Sequence, residues 1–577
     1  MKLKHIIGCA ATMSLCLVSC SDQMDYHEFR VQDEDYVKRD FATVVNLTTY
    51  IYRELDYDLG QMHSGASVCS ATDEAVYSHQ GNSIESYFNG SWSPTVPNSS
   101  VWSSCWDAIA YCNMFLDKFT GLTFPDHVLE KDYSDQMIRY ENLKWEVRFM
   151  RAYYYFLLVR QYGGVPLITS YMNADESNSQ PRVSADEIFN FVDSECEAIK
   201  DSIIADYNGA YNSLENEDGR VNNLGVLALR ARAALYHASP LFTQEKSDDV
   251  KKELWHQAAL RSKECIDECR KRSKSLASDY SSLFQQDSWS KTDPQKEIIF
   301  ARRNAASNNF EKYNFPIGMA GAGGGNCPTE NLVSAYEMTN GLPIDDPNSG
   351  YDPQDPYKNR DLRLAATVAV NGEKWPAELP TDGLEIWYGG SNSRSVSYGT
   401  PTGYYLKKYV DSTTKISGSS TSSVYHNWIL FRLGSVYLDY AEAMLNYTGS
   451  GYAAGDDLPM TAAEAINTVR TRAKQPNLPT GLSFSDFEQR YENERFVELA
   501  FEGHRMYDVR RWMKAPQYFV NVKVVEITKN GDDLTFKTVE NPSYITKRTW
   551  AGSHQYLWPI PQADVLKAGE LTQNPGW

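Results

Sequence analysis

The chain has 577 residues, of which 42% are hydrophobic and 23% are charged, a balance typical of a globular protein. Its formal net charge is −19 at pH 7. Nucleic-acid contacts need clustered lysines and arginines, so this acidic chain is a poor candidate for a nucleic-acid-binding protein and a better match for a neutral ligand. The length permits several domains, although one large intertwined domain is equally compatible with it.

The first twenty residues have the features of an export signal. Two lysines precede an apolar run from 6 to 18, which is too short to cross a bilayer. The run ends in Leu17-Val18-Ser19-Cys20, which resembles the cleavage box of bacterial lipoproteins. This motif predicts a signal peptide at 1–19 and a lipid on Cys20, which would anchor the mature chain. An ordinary secretory signal that is cut elsewhere is the alternative.

The cysteines predict neither a disulfide framework nor a metal site. Seven cysteines follow Cys20, and an odd number argues against complete pairing. Cys265 and Cys269 lie four residues apart on a predicted helix, but no second close pair or nearby histidine completes a zinc site. We therefore interpret them as packed thiols, and we expect no metal and no cofactor.

The first half of the chain alternates between helical stretches and one long irregular stretch. Apolar residues recur at three- and four-residue steps in the helical stretches, and Ser184 with Glu187 forms the pattern of a capping box. Residues 60–100 are instead rich in Ser, Gly, Asn and Pro, and long ordered loops are usually functional. The predicted helices cover residues 35–57, 101–119, 144–162, a segment after 184, 221–239 and 253–270.

The second half has a loop-rich region at 275–425. Its dense glycine cluster, Gly321 to Gly325, lacks the following Lys-Ser/Thr of a phosphate-binding loop, so we expect a flexible or tightly turning loop. Residues 430–473 match a tetratricopeptide helical hairpin, whose first helix would begin at Leu430 and whose second would cover 462–473. Further on, two strand-like runs flank Asn530-Gly531 and predict a β-hairpin.

The stretch ERFVELAFEGHRMYDVRRW, residues 494–512, predicts one helix with two different faces. One face is apolar, and the other carries charged residues of both signs at helical spacing. Gly503 would lie in the middle of this helix, where close approach of another backbone would explain it. His504 and Asp508 are only a weak metal pattern, so we interpret the charges as structural ion pairs.

Several of these stretches resemble one protein family. The stretch 494–512 is similar to the signature helix of the SusD/RagB family, which comprises outer-membrane lipoproteins of Bacteroidetes. The last residues, LWPIPQADVLKAGELTQNPGW, resemble the terminus of that family. The helix that ends in GGVPL and the segments PTENLVSAYEMTNGLPI, YDPQDPYKNRDLRL and TGYYLKKY are also similar to family segments. The resemblance spans nearly the whole mature chain in the expected order.

The resemblance implies a mainly α fold. It would consist of about four tetratricopeptide-like helical hairpins with long irregular insertions and a small β-hairpin, in one domain over residues 20–577. The hairpin scaffold would cover about 35–270 and 426–515. The segments 60–100 and 275–425 would lie on the ligand side, and 516–577 would form the C-terminal segment.

A sugar-binding surface needs flat apolar faces for pyranose rings, with amides or carboxylates for the hydroxyl groups. Tyrosine outnumbers phenylalanine, 38 to 22. The aromatic residues in loops are the candidates for sugar contact. The alternative for each of them is that it packs a loop against the helices. We predict ligand contacts for Trp92, Tyr87, Asn89, Asp73, Tyr313, Trp387 and Tyr388.

The motifs of common hydrolases are missing from the sequence, which has neither Gly-x-Ser-x-Gly nor His-Glu-x-x-His. We therefore expect a protein that is not an enzyme. The alternative is a glycoside hydrolase with two loop carboxylates, whose separation the sequence does not define.

The resemblance implies glycan capture at the cell surface. A lipid-anchored protein of this family would bind an oligosaccharide and deliver it to a SusC-type TonB-dependent transporter of the outer membrane, over which it sits as a lid. A peptide or glycoconjugate cargo, as in the RagB-like branch, is the alternative. Charged loop residues in place of paired aromatic residues would favour that alternative.

Overall fold

The fold consists mainly of α-helices, as predicted. The structure, a computed structural model, describes residues 34–98, 100–215, 217 and 219–577. These residues form 19 α-helices and eight short strands, and none of the helices among them has the length and apolar character needed to cross a membrane. Cys20 and the signal sequence lie outside the described residues.

The helices are numbered here in chain order. They are α1 (Glu34–Val37), α2 (Phe41–Arg53), α3 (Ser100–Lys118), α4 (Tyr133–Tyr162), α5 (Ala174–Asn178), α6 (Ala185–Ile199), α7 (Asn223–Ala238), α8 (Pro240–Thr243), α9 (Asp248–Lys271), α10 (Thr292–Glu297), α11 (Asn309–Asn314), α12 (Glu330–Ala335), α13 (Leu362–Thr367), α14 (Leu433–Thr448), α15 (Ala462–Arg472), α16 (Phe484–Glu498), α17 (Arg505–Arg511), α18 (Ala515–Phe519) and α19 (Gln562–Lys567).

Seven long helices pack in series and form the scaffold. Helix α3 packs on α4, α4 on α6, α6 on α7, α7 on α9, α9 on α14, and α14 on α15. Tyr153, Tyr154 and Tyr155 of α4 are all buried, because this helix has neighbours on several sides. The capping box of α6 is confirmed, since the Ser184 side chain accepts from the backbone N–H of Glu187 and the Glu187 carboxylate accepts from the Ser184 N–H.

The strands form four separate antiparallel pairs. Strand β1 pairs with β3, β2 with β6, β4 with β5, and β7 with β8. Their bounds are β1 (Ala75–Tyr77), β2 (Ile298–Arg303), β3 (Asn326–Pro328), β4 (Val368–Ala369), β5 (Tyr405–Leu406), β6 (Asn427–Arg432), β7 (Lys523–Asn530) and β8 (Asp533–Glu540).

Two predictions that concern strands need correction. Leu430 does not begin a helix, because it lies in β6, which pairs with β2, and α14 begins only at Leu433. The predicted hairpin exists, but Asn530 pairs with Asp533 and belongs to the ladder. The two-residue turn is therefore Gly531-Asp532, one residue later than predicted, and Gly531 supplies the positive φ of +63°.

The charged face of the stretch 494–512 forms buried ion pairs, which confirms the structural interpretation. Glu498, at the end of α16, accepts from the guanidinium groups of Arg363, Arg432 and Arg472, and all four side chains are buried. Burial alone would raise the pKa of the Glu498 carboxyl, but Arg472, Arg432 and Arg363 outweigh it and hold the pKa well below its usual range. We call these four residues the Glu498 cluster.

The stretch 494–512 is not one continuous helix. Helix α16 ends at Glu498 and α17 begins at Arg505, and the chain turns sharply between them. Phe501 has φ +59° and Gly503 has φ +75°, values that no helix interior contains. The prediction for Gly503 is therefore wrong, because it lies in this turn and supplies a left-handed conformation rather than a packing contact within a helix.

The cysteines behave as predicted, because the seven cysteines of the described residues are free and buried. Cys265 and Cys269 lie within α9 and face its packed side. The division of the chain into one domain with the segment bounds given above stays a prediction.

We expect Glu498→Ala to destabilise the protein by about 3–5 kcal/mol, because it leaves three buried guanidinium groups without their shared counter-charge. Urea unfolding followed by circular dichroism measures this loss. The matched control is Asp267→Ala, which breaks partly exposed ion pairs with Lys263 and Arg270 on the surface of α9 and should cost below about 1 kcal/mol. Equal losses for the two variants would contradict the role given to the cluster.

We expect Gly503→Ala to lower the free energy of unfolding by about 1–2 kcal/mol, because alanine is strained at a φ of +75°. The added Cβ would lie 3.4 Å from Cζ2 of Trp428, an ordinary contact, so the loss comes from the backbone. Gly569 has open space around its Cα and no positive φ, so Gly569→Ala should leave stability unchanged. A neutral Gly503→Ala variant would refute the backbone explanation.

Candidate functional site

An exposed group of aromatic side chains lies on the loop between β4 and β5. Tyr388 is 60% exposed and Tyr398 is 54% exposed, although most aromatic residues of this chain are buried. The backbone N–H of Tyr388 donates to the carbonyl oxygen of Ile527 at 2.8 Å, which attaches the loop to β7. We call Tyr388, Tyr398 and their immediate partners His79, Arg394 and Tyr544 the aromatic platform.

Tyr398 is held in place by a stacked ring and by its backbone. Its ring lies parallel to the His79 ring, with 4.0 Å between centroids and 9° between planes. His79 Nε2 donates to the carbonyl oxygen of Gly323 at 2.6 Å, which fixes the orientation of the imidazole. Tyr398 has φ +62°, a strained value for a non-glycine residue, and such strain is often found at functional sites.

The predicted glycine cluster explains how the chain approaches this site. A Cβ on Gly324 would lie 2.2 Å from the Tyr398 carbonyl oxygen, and one on Gly323 would lie 2.9 Å from the carbonyl oxygen of Tyr313. Gly321, Gly324 and Gly325 also have positive φ. The segment is therefore the tightly turning loop that the sequence predicts, and it runs between Tyr313 and Tyr398.

Arg394 fixes the other half of the platform. Its guanidinium carbon lies 4.8 Å from the centroid of the Tyr388 ring and 4.2 Å from that of Tyr544. One guanidinium nitrogen donates to Glu526 at 3.1 Å, and the Tyr544 hydroxyl donates to the same carboxylate oxygen at 3.0 Å. The Gln80 side chain donates to the Tyr544 carbonyl oxygen, so this half adjoins the half that contains His79.

The platform combines the properties of a binding surface. Its exposed ring faces are apolar, its phenol groups can donate and accept hydrogen bonds, and its members are held by stacking, which lowers the entropy lost on binding. The carboxylate of Glu526 already accepts from Arg394 and Tyr544. Within the described residues, no group of three or more His, Cys, Asp and Glu side chains is placed to hold a metal ion.

Three predicted site residues lie on or beside the platform. Tyr388 belongs to it, and Trp387 is half-buried with the ammonium group of Lys529 4.3 Å from its ring centroid. Tyr313 is half-buried and lies beside Tyr77, since a Cβ on Gly65 would meet both the Tyr313 ring and the Tyr77 hydroxyl. The structure thus brings the predicted segments around 313 and 387 to the same side of the fold.

Trp92, Tyr87 and Asp73 lie in the interior instead. Trp92 is 5% exposed, and its ring contacts Tyr87, Trp558 and Trp577 at centroid distances of 5.1, 5.2 and 5.1 Å. Asp73 forms a buried two-point ion pair with Arg505, at 2.9 and 2.7 Å. These side chains have protein partners, so the prediction that they contact a ligand receives no support from their positions.

Asn89 is exposed, but its side-chain oxygen accepts from the backbone N–H and the hydroxyl of Ser91, at 3.0 and 2.6 Å. This arrangement is a local turn contact. Asn89 therefore shapes its own loop, and its predicted ligand contact stays a prediction.

Sequence reasoning missed four members of the platform, namely His79, Arg394, Tyr398 and Tyr544. His79 and Tyr398 are more than 300 residues apart in the sequence, and their stacking depends on the fold that joins them. Tyr398 precedes Gly399 within a Ser- and Gly-rich stretch, and this turn composition next to a tyrosine is the signal that could have identified it.

Two family models match the chain. The model described as SusD family matches residues 296–577, and the model described as "Starch-binding associating with outer membrane" matches residues 25–235. Together the matched regions include all five platform residues: His79 lies in the second, and Tyr388, Arg394, Tyr398 and Tyr544 lie in the first.

Individual relatives agree with these models. A SusD-like protein of Formosa agariphila is 25% identical over 439 residues, which cover 72% of this chain and 70% of that protein. Two solved structures from Bacteroides fragilis, of a SusD-like protein and a SusD-like carbohydrate-binding protein, both match with a TM-score of 0.71. The first is 23% identical, and its match covers 94% of this chain and 98% of that structure. The second is 21% identical, and its match covers 93% of this chain and 100% of that structure. These matches show a shared fold.

Proposed function

Because the chain belongs to the SusD/RagB family, we propose that it binds oligosaccharides at the aromatic platform and catalyses no bond cleavage there. The observation that carries this proposal is the two exposed tyrosines, of which Tyr398 is held by the stacked His79 ring and Tyr388 by the Arg394 guanidinium group over its ring. Rings fixed in this way offer apolar faces to the C–H side of pyranose rings, and the phenol groups can bind sugar hydroxyls. A solved structural neighbour with a TM-score of 0.61 is named a laminarin-binding SusD-like protein, which agrees with a glycan ligand.

The charges of the platform favour a neutral glycan over a peptide. Its one guanidinium group, Arg394, is paired with Glu526, so the five platform residues present no uncompensated charge for a peptide terminus or an acidic side chain; the nearby Lys529 ammonium group lies over the Trp387 ring. The exposed members are two tyrosines, one stacked on His79 and the other beneath the Arg394 guanidinium group, and exposed aromatic residues are what the glycan hypothesis requires. Since a few stacked rings on an open, wet surface give little net free energy, we expect modest affinity for each sugar unit.

We further propose that the mature protein is anchored at the cell surface by a lipid on Cys20 and passes its glycan to a SusC-type TonB-dependent transporter. The lipoprotein-like cleavage box supports the anchor. The outer-membrane association that one family model describes supports the location. The transporter partner follows from family membership.

Replacing either platform tyrosine with alanine should weaken retention of a neutral glycan. Each variant loses a ring that buries on the order of 50 Å² of apolar surface, worth about 1 kcal/mol or about fivefold in affinity. We would measure retardation of purified protein in native gels that contain laminarin, starch or xyloglucan, and assay the same glycans for released products. Tyr388→Ala and Tyr398→Ala should each reduce retardation by any retained glycan, and no products should appear.

Tyr425→Ala is the matched control, because Tyr425 is 57% exposed but belongs to neither half of the platform. Trp92→Ala tests the earlier prediction and should act on stability rather than on retention. Unchanged retardation in both platform variants would place the glycan elsewhere, and release of products by wild-type protein would support the hydrolase alternative.

The anchor and the partner are tested together in the native bacterium. We expect Cys20→Ser to release the protein from the outer-membrane fraction, because the thiol is the predicted point of lipid attachment. Affinity purification of the wild-type chain from detergent extracts should recover a TonB-dependent transporter, identified by mass spectrometry. Membrane association of Cys20→Ser, or recovery of no such transporter, would contradict the respective part of the proposal.

A further inference from the structure

A second cleft lies on the helical scaffold, between α3, the 166–180 segment and the C-terminal segment that contains α19. It encloses about 330 Å³, the volume of roughly ten water molecules and within the range of small-ligand sites. Its lining shares no residue with the aromatic platform.

The floor of this cleft is aromatic and apolar. Trp106 is half-buried there, and its ring contacts Trp102 and Tyr155 edge to face, at centroid distances of 5.6 and 6.2 Å. Ile168 and Leu571 are buried and extend the apolar surface on two other sides. The Trp106 ring is therefore fixed by its neighbours and remains partly accessible from the cleft.

The rim is polar, and four of its side chains have no protein partner within the described part of the chain. Ser103 and Asp107 lie one helical turn apart on α3 and are exposed on the cleft side, and Asn178 and Ser170 lie opposite on the 166–180 segment. Among the described residues, none of these four side chains has a hydrogen-bond or ion-pair partner. Deeper in the cleft, Asn113 is fully engaged, because it accepts from Arg151 and donates to the Ile168 carbonyl oxygen.

We propose that this cleft binds a neutral saccharide of one or two sugar units. The Trp106 ring would contact the C–H side of one pyranose, while Asp107 and Asn178 would bind its hydroxyl groups from opposite walls. An aromatic floor beneath a small number of converging polar groups is the arrangement that fixes the orientation of such ligands.

Charge restricts the ligand class. No lysine or arginine of the described residues lines the cleft, whereas Asp107 and Asp564 do, and only Asp564 has a cationic neighbour, Lys567 at 3.7 Å. A uronic acid or sulfated sugar would place a second negative charge beside Asp107 without a compensating cation. The cleft therefore selects neutral sugars. This assignment stands without the platform proposal, because it uses none of the same residues.

The experiment uses the full chain in which the platform is disabled by Tyr388→Ala and Tyr398→Ala. Saturation-transfer NMR would be recorded with maltose, cellobiose and laminaribiose, and with sodium glucuronate as the anionic probe. We expect at least one of the three disaccharides to give a transfer signal in this background and glucuronate to give none. Adding Asp107→Ala and Asn178→Ala should weaken the titrated affinity about tenfold, as expected when two hydrogen bonds are lost.

Asp175→Ala is the control, since Asp175 is exposed on α5 next to the cleft but does not line it. The replaced side chains are exposed and unpaired, so the thermal midpoint should not change and a loss of binding will not reflect unfolding. Absence of any disaccharide signal in the platform-disabled protein would overturn the assignment, as would a signal that the cleft variants leave unchanged. In the reverse experiment, a chain that carries Asp107→Ala and Asn178→Ala but keeps both platform tyrosines should still retain polysaccharide in native gels. Failure of the cleft proposal and failure of the platform proposal therefore give different results.

Discussion

The buried contact between Glu498 and three arginines is the constraint on which the rest of the structure depends. Arg363 comes from α13, Arg432 from the end of β6 and Arg472 from the end of α15, so one carboxylate joins three segments to α16. Arg432 also pairs with Glu297 and Glu502, each at 2.7 Å. Burying these charges is costly, so the cluster forms only when all partners are placed correctly, and we infer that it specifies the arrangement of the loops rather than simply adding stability.

The turn after α16 connects this cluster to the segment that carries His79. The backbone N–H of Phe501 donates to Glu74 at 2.9 Å, and Arg505 pairs with the neighbouring Asp73. Burial raises the pKa of the Glu74 carboxyl to about 7, although the Phe501 contact opposes the change. His79 follows only five residues after Glu74, beyond β1. The charged stretch 494–512 thus holds residues 73 and 74 in place, and these residues begin the segment that carries His79 to the platform.

The sequence predicts regular structure well and the site only in part. The long helices, the capping box at Ser184 and the glycine turn follow from local patterns, and local patterns determine them in the structure as well. The break between α16 and α17 was missed because the residues on both sides keep helical spacing, while the φ values of Phe501 and Gly503 depend on contacts with other segments. Leu430 was misassigned because β2, the strand that pairs with β6, lies more than 100 residues earlier in the chain.

Trp92 and Tyr388 show why loop aromatics are hard to sort by sequence. Both lie in Gly- and Ser-rich stretches, yet Trp92 is enclosed by Trp558 and Trp577, which come from the far end of the chain. Tyr388 has Arg394 on one side and remains mostly exposed. The number of partners that the fold brings to a ring, and not its local composition, decides whether the ring is buried in the interior or stays exposed. The same criterion identifies Trp106, a helical residue that composition assigns to the core but whose surroundings leave it partly accessible.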